Sequence, residues 1–215
     1  MSAAILTEMP TSQGQGSTPN ELLYRITVPM YHEMIDAGIL GTDDRVELLE
    51  GVLIRKMSKN TPRTISAGLL HDILITLPLK GWYLGLQDPV VTDDSEPEPD
   101  FMLVRGQRED YDANKPAPKD VGLVIEVSDA SLSQDQGSKK KIYARAGIVI
   151  YWILNIPDRR IEVYTDPKGP VYQSHQFYDE TQSVPVVLDG QPIGSIPVKD
   201  VLKKATLTPS ASSTA

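Results

Sequence analysis

The residue in this sequence that most clearly invites a chemical explanation is Glu126. It interrupts the run from Val121 to Val127, which is otherwise apolar apart from Gly122. Such a run is typical of a strand that is covered on both faces. A carboxylate there is costly to desolvate unless a cation or a hydrogen-bond donor compensates it. A bound metal ion would provide that charge, whereas a solvent-exposed strand end or a buried arginine would explain Glu126 without catalysis.

A second acid, Asp100, follows the proline-rich segment from Ser95 to Pro99 and precedes an apolar stretch. Because proline restricts the backbone, this segment sets the direction in which Asp100 enters the next strand. Taken alone, Asp100 is an ordinary loop acid. Together with Glu126 on a neighbouring strand, it could complete a pair of carboxylates within reach of one ion. Paired hard oxygen ligands with remaining water positions are what Mg²⁺ prefers.

Lys139 lies four residues after Asp135 in a stretch that predicts a helix, and Tyr143 follows on the same face. One explanation is an exposed ion pair between Lys139 and Asp135, which contributes only about 0.2–0.5 kcal/mol. The other is that the helix returns beside the strand of Glu126 and directs its ammonium group at a metal site. There it would stabilise developing charge on a phosphate or orient the attacking water. The local sequence leaves both explanations open.

Several other kinds of active site lack the residues they need. The sequence contains no cysteine, so any metal must bind carboxylates, carbonyls or histidine. The three histidines, His32, His71 and His175, show no paired metal-ligand spacing, and we interpret them as structural or surface residues. Neither a Gly-x-Ser-x-Gly motif nor a phosphate-binding glycine-rich loop occurs in the sequence. Serine hydrolase and nucleoside-triphosphatase functions therefore lose their usual support.

Length and charge limit the architecture and the partners. The 215 residues suit one domain, which we expect over residues 21–204, with disordered extensions at 1–20 and 205–215. No apolar stretch is long enough to span a membrane and residues 1–20 do not resemble a secretory signal, so we expect a cytoplasmic protein. The net charge of −8 counts against a broad phosphate-binding surface. Basic residues cluster near 55–63 and 139–145, although a solvated charged face explains either cluster more simply.

The elements predicted around these residues form an α+β pattern. A strand hairpin with its turn at Glu50-Gly51 places Glu47 on the first of its two strands. Ser133 and Gln136 form a predicted capping box for the helix that carries Lys139. Further helices are predicted near residues 28–37 and from residue 61, and strands at residues 82–87, 90–91, 101–104, 121–127, 148–154, 160–164 and 171–178.

The order of several spaced motifs is informative where each motif alone is weak. These motifs are Arg-Val-Glu-Leu-Leu-Glu-Gly at residues 45–51, Met57-Ser58 with Pro62-Arg63, Ser-Glu-Pro-Glu-Pro-Asp at residues 95–100, Glu126-Val127-Ser128, Asp135-x-x-x-Lys139-x-x-x-Tyr143, and Gly147 before Tyr151-Trp152. Over about residues 22–203, this order resembles that of the Uma-two family of restriction-endonuclease-like proteins.

The resemblance implies a restriction-endonuclease-like fold, in which helices flank a mixed β-sheet and a divalent metal binds near one sheet edge. It also implies that Asp100 and Glu126 are the metal-binding acids. Glu47 would be an additional acid on the first strand, and Gln87 would lie in the outer part of the site. From related nuclease folds we expect a homodimer.

The sequence departs from the family pattern at two positions. The standard nuclease signature has a lysine two residues after the second acid, where this chain has Ser128, so Lys139 is the expected substitute, as is common in this family. The histidine that usually follows the Pro-x motif is replaced by Thr64, which would weaken or alter one contact in the active site.

Three functions are compatible with these residues. The leading hypothesis is hydrolysis of DNA phosphodiester bonds with Mg²⁺ or Mn²⁺ bound by Asp100, Glu126 and Glu47 and with assistance from Lys139. The second is a catalytically inactive nuclease fold that serves as a binding or interaction module, which Thr64 and the acidic charge favour. The third is a metal-dependent hydrolase that acts on a phosphate ester other than nucleic acid.

Overall fold

The computed structural model of the protein describes residues 23–58, 60–112 and 115–202. The expected disordered extensions, residues 1–20 and 205–215, lie outside the described residues, and the domain limits stay predictions. No helix in the described ranges is both long and apolar enough to cross a membrane.

The elements follow one another in an α+β order. The helices are α1 (Val28–Asp36), α2 (Thr61–Leu74), α3 (Leu132–Gln134), α4 (Lys140–Arg145) and α5 (Val198–Val201), with a π-helical turn at Asp135–Lys139 between α3 and α4 and 3₁₀ turns at Thr42–Asp44, Arg108–Tyr111 and Pro118–Asp120. The strands are β1 (Val46–Leu49), β2 (Val52–Arg55), β3 (Trp82–Leu86), β4 (Phe101–Arg105), β5 (Val121–Ser128), β6 (Ile150–Asn155), β7 (Arg160–Lys168), β8 (Val171–Asp179), β9 (Ser183–Leu188) and β10 (Gln191–Pro197).

Six strands form the central sheet, in the order β3-β4-β5-β6-β7-β8. β5 and β6 are parallel, and every other neighbouring pair is antiparallel. A parallel pair needs a crossover connection, and the helical segment over residues 132–145 provides it. The predicted α+β fold with a mixed sheet flanked by helices is confirmed, and β5 is one of the two central strands.

The two faces of this sheet are covered by different elements. One face packs against α2, α5 and the β9–β10 hairpin, with Leu70 and Trp152 in that layer. The other face packs against α4, where Tyr143 and Ile153 are fully buried. Gly122, the glycine in the apolar run of β5, leaves room for a ring, because a Cβ at this position would lie 2.6 Å from Trp82.

Most of the predicted elements are present, with several differences. The hairpin of β1 and β2 is confirmed, and its turn residues Glu50 and Gly51 both have positive φ angles. The strand predicted at residues 90–91 is wrong, because Val90 instead donates its backbone N–H to Pro97 within the loop of the proline-rich segment. β9 and β10 were not predicted; they form a separate two-stranded sheet.

Candidate active site

Glu126 lies on β5 and is 2% exposed. Its Oε1 accepts hydrogen bonds from Lys139 Nζ at 3.0 Å and from the Tyr143 hydroxyl at 2.9 Å. Its Oε2 accepts none from the residues that the structure describes. Burial raises the pKa of Glu126 well above its usual range, and the charge of Lys139 opposes that shift without cancelling it. One carboxylate oxygen of Glu126 is therefore available for a further partner.

Lys139 joins two acids from different strands. Its Nζ lies 3.0 Å from Glu126 Oε1 and 3.1 Å from Glu47 Oε2. Burial by itself would lower the pKa of Lys139, but attraction to Glu126 and Glu47 outweighs burial and raises this pKa. The ammonium group thus stays charged inside the protein, and the ion pair with Glu126 replaces the exposed pair with Asp135 that the sequence left open.

The helical turn that carries Lys139 differs from the one predicted. The capping box of Ser133 and Gln136 is wrong, because the helix begins directly after Ser131, which makes no side-chain capping hydrogen bond. Instead, the Ser131 hydroxyl donates to Asp135 Oδ2 at 2.7 Å, and residues 135–139 form a π turn. Such turns insert one extra residue into a helix and are frequent at functional sites.

Glu47 reaches the same place from β1 and is 3% exposed. Its Oε2 also accepts the backbone N–H of Glu98 at 3.2 Å, and its Oε1 accepts Gln134 Nε2 at 3.1 Å. Both oxygens of Glu47 already have partners within the protein. The geometry therefore suits Glu47 to hold Lys139 in place and to add negative charge to the site.

Asp100 stands directly before β4, as predicted, and it is bound by an arginine that the sequence analysis did not select. Both oxygens of Asp100 accept hydrogen bonds from Arg63 Nη2 at 2.8 Å, and Oδ2 also accepts the backbone N–H of Val127 at 2.8 Å. Arg63 Nε donates in turn to the Val127 carbonyl at 2.7 Å. The available signal was the Pro62-Arg63 motif at the start of α2, but its contact with β5 is tertiary.

Asp135 is a further acid that the sequence analysis did not assign to the site. It is 2% exposed, and burial raises its pKa. The hydroxyl of Ser128 donates to Asp135 Oδ2 at 2.6 Å. Ser128 occupies the position of the signature lysine, so the departure from the family pattern is also the contact that holds the π turn against β5.

All four predicted site residues line one cleft of about 230 Å³. Gln87, which the resemblance placed in the outer part of the site, lines it too. The other charged residues that line the cleft are the acids Glu98 and Asp135 and the cations Arg45, Lys56 and Arg63. Lys56 pairs with Glu98, so at least one of these cations is neutralised by an acid of the cleft. Strands β1, β4 and β5 and the helical crossover thus bring Glu47, Asp100, Glu126 and Lys139 together.

A mixed sheet with acids and a lysine around such a cleft agrees with the restriction-endonuclease-like class that the ordered motifs predicted. The model of the Uma2 (Uma-two) family, described as "Putative restriction endonuclease", matches residues 28–193, so the chain belongs to this family. A crystal structure described as a "putative nuclease belonging to DUF820", from Anabaena variabilis ATCC 29413, shares the fold with a TM-score of 0.62 and 17% identity, covering 82% of this chain and 97% of that chain. No curated protein matches the sequence. Family and fold together indicate a restriction-endonuclease-like nuclease.

Nucleases of this class generally use divalent metal ions, and the donors in the cleft fit such an ion in type. Mg²⁺ often binds one or two carboxylates and keeps several waters. Asp100 and Glu126 both line the cleft, and Glu126 Oε2 has no hydrogen-bond partner among the described residues. Within residues 23–58, 60–112 and 115–202, no three histidine or acidic side chains cluster tightly enough to form a ready-made metal site. A cation would therefore share Asp100 with Arg63 or displace it.

Proposed function

We propose that the protein is an endonuclease that hydrolyses DNA phosphodiester bonds with Mg²⁺ or Mn²⁺ in the cleft of Asp100, Glu126, Glu47 and Lys139. The observation that carries this proposal is the convergence of three buried acids, from β1, from β5 and from the position directly before β4, with one buried lysine. Burying several like charges around one cation is costly for folding. Such a cluster is therefore more readily explained by a function than by stability.

In this proposal Asp100 and Glu126 hold the cation, with Glu47 as an additional acid. When bound, the cation would lower the pKa of a water nucleophile and neutralise charge on the phosphate. Lys139 is charged and faces the acids, so it can donate a hydrogen bond to a phosphate oxygen or to the attacking water. Glu47 keeps the Lys139 ammonium in this position through its own hydrogen bonds to Gln134 and to the backbone of Glu98.

The test is cleavage of supercoiled plasmid by the full chain in Mg²⁺ or Mn²⁺. We expect Asp100→Asn and Glu126→Gln each to lower the rate by about 100-fold or more. Glu96→Gln is the matched control, because Glu96 is 4% exposed but pairs with His32 and Lys115 away from the cleft. Cleavage at the wild-type rate by the Asp100→Asn/Glu126→Gln double variant would refute the assignment.

A second candidate function is a nuclease fold without catalysis that serves as a binding module. The contact of Arg63 with both oxygens of Asp100 favours it, because this pairing satisfies the acid without a metal. Thermal unfolding in increasing Mg²⁺ or Mn²⁺ separates the two functions. A functional carboxylate site is stabilised by about 2.7 kcal/mol when the metal concentration reaches 100 times its dissociation constant, whereas a silent fold shows no such shift.

The substrate, the assembly and the location are part of the same proposal. DNA, RNA and small phosphodiesters assayed side by side show whether nucleic acid is preferred over other phosphate esters. The homodimer and the cytoplasmic location remain predictions, and light scattering on the purified full chain tests the first of them.

A further inference from the structure

A second cavity, of about 310 Å³, adjoins the cleft. The two share Arg63, Gln87 and Asp100 as a common wall. The cleft is surrounded by charged groups, whereas the wall of the second cavity is mainly apolar and comes from α2 and the paired ends of β3 and β4. Because the two cavities share this wall, a molecule bound at Asp100 could reach into the second cavity.

The walls of the cavity suit a flat ring. Phe101 and His71 are stacked there with their ring centroids 6.4 Å apart and an angle of 27° between the planes. Leu86, which is 44% exposed, lies opposite Phe101 in the register of β3 and β4. Gly68 opens the side of α2, because a Cβ at this position would meet no atom within 4 Å. A volume near the lower end of the ligand-pocket range suits one small ring system and not a large ligand.

The shared wall also carries polar groups that point to a nucleotide. Gln87 adopts a left-handed backbone with φ +54°, which is unusual for this residue type, and its N–H bonds to the Asp100 carbonyl at 3.3 Å. The side-chain amide of Gln87 has no hydrogen-bond partner among the described residues, and it can both donate to and accept from a base edge. Arg63, whose Nη2 and Nε already bind Asp100 and Val127, lies where the cavity meets the cleft, and its guanidinium can also donate to a phosphate.

We propose that this cavity is a subsite for one unpaired nucleobase of the strand that is cut. The inference rests on the proposed nuclease function and adds a substrate class to it. A base in a duplex is stacked and paired, so it can enter a cavity only when it is single-stranded or flipped out. The preferred substrate is therefore single-stranded DNA, or duplex DNA with an unpaired nucleotide at the cleavage position.

The test uses single-stranded oligonucleotides in which one abasic position is moved along the chain, with cleavage mapped at every bond. The wild-type protein should cut bonds next to the missing base about tenfold more slowly, as expected for the loss of one base stacked on an aromatic ring. Gly68→Leu fills the cavity and should abolish this difference between intact and abasic positions. The substitution should not impair folding, because the site is open and leucine favours a helix more than glycine does.

Two controls make the result specific. Gly68→Ala adds one methyl group and should lie between the wild type and Gly68→Leu. Leu69→Phe adds bulk at the next residue of α2, which lines neither cavity, and should keep the wild-type preference. Equal cleavage beside intact and abasic positions by the wild type, or faster cleavage of duplex than of single strands, would overturn the subsite.

Binding measurements keep this test separate from that of the nuclease function. Anisotropy of labelled single strands is measured in Ca²⁺ for the wild type and Gly68→Leu. If the wild type cleaves DNA without any dependence on the missing base, the subsite is wrong and the nuclease proposal stands. If no DNA is cleaved, the nuclease proposal fails. Equal affinity for intact and abasic strands would then refute the subsite as well.

Discussion

Two buried glutamates in the same row of the sheet have opposite surroundings. Glu126 on β5 lies in register with Ile153 on β6, which lies in register with Glu162 on β7. The two glutamates are 2% and 0% exposed. The two glutamates are therefore alike in sheet position and in burial, and they differ in their hydrogen-bond partners.

The carboxylate of Glu162 is fully occupied. Both of its oxygens accept Gln136 Nε2 at 3.0 Å, and the remaining donors are Asn155, Arg160 and Tyr164. Burial by itself would raise the pKa of Glu162, but these hydrogen bonds outweigh burial and lower this pKa. Glu126 has donors on one oxygen alone within the described chain, and its pKa is raised. The comparison favours a structural role for Glu162, whereas Glu126 keeps an oxygen for the ligand that we propose.

The π turn contacts both glutamates at once. Gln136, near its start, donates to Glu162, and Lys139, at its end, donates to Glu126. The structural acid thus anchors the turn that positions the lysine at the candidate catalytic acid.

The largest expected effect is on DNA cleavage, when the contact between the end of the π turn and Glu126 is removed. Lys139→Met should lower DNA cleavage by about 100- to 1000-fold, because a charged donor for the phosphate is lost. Gln136→Ala breaks the other end and should cost about tenfold or less, since Lys139 keeps its contacts with Glu126 and Glu47. Initial rates on plasmid DNA measure both variants, and equal losses would show that the two ends do not differ in role.

The second-largest expected effect is on stabilisation by bound metal, which should differ between variants of the two glutamates. Saturating Mn²⁺ should raise the free energy of unfolding of the wild type by about 2.7 kcal/mol at 100 times the dissociation constant. Glu162→Gln should keep this gain and Glu126→Gln should lose most of it, because the substitution removes a proposed ligand. Calorimetry with and without Mn²⁺ gives the values, and a retained gain in Glu126→Gln would contradict the assigned ligand.

In the absence of metal, Glu162→Gln should be the less stable of the two variants. Glu162→Gln should lower the free energy of unfolding by about 2 kcal/mol at pH 7, because several hydrogen bonds to a charged acceptor are weakened at once. Glu126→Gln should cost less, since ionised Glu126 is itself unfavourable in this buried position. Urea titrations of both variants test this, and a larger loss in Glu126→Gln would mean that its ion pair is primarily structural.

The smallest expected effect is a difference in pH dependence. The lowered pKa of Glu162 means that its ionised form stabilises the fold, so the deficit of Glu162→Gln should be complete above about pH 4.5 and shrink as the pH falls further. The pKa of Glu126 is shifted in the opposite direction, so ionisation of Glu126 destabilises the wild type. The free energy of unfolding of Glu126→Gln should therefore rise relative to that of the wild type as the pH rises from about 4.5. Unfolding curves from pH 3 to 8 in EDTA measure both, and slopes of the same sign would refute the comparison.

Local features of the sequence determined most of the elements up to β8 and most of the candidate site. The apolar run of β5 identified Glu126, the proline-rich segment placed Asp100 before β4, and the turn at Glu50-Gly51 put Glu47 on a strand. These inferences succeed because periodicity and turn chemistry depend on residues close together in the chain. The ordered motifs then predicted the family and the fold.

The tertiary structure alone decided which partner each charge received. Arg63 is hydrogen-bonded to Val127, which is 64 residues away in the sequence, and Gln136 is hydrogen-bonded to Glu162, which is 26 residues away. Such contacts depend on how α2 and the crossover pack on the sheet, and no local spacing encodes them. The π turn arises in the same way, since hydroxyl groups from β5 and the preceding loop hold Asp135. The sequence thus predicted Glu47, Asp100 and Glu126 as site acids, and the packing distinguished Glu126 from Glu162, whose hydrogen-bonding capacity is already used.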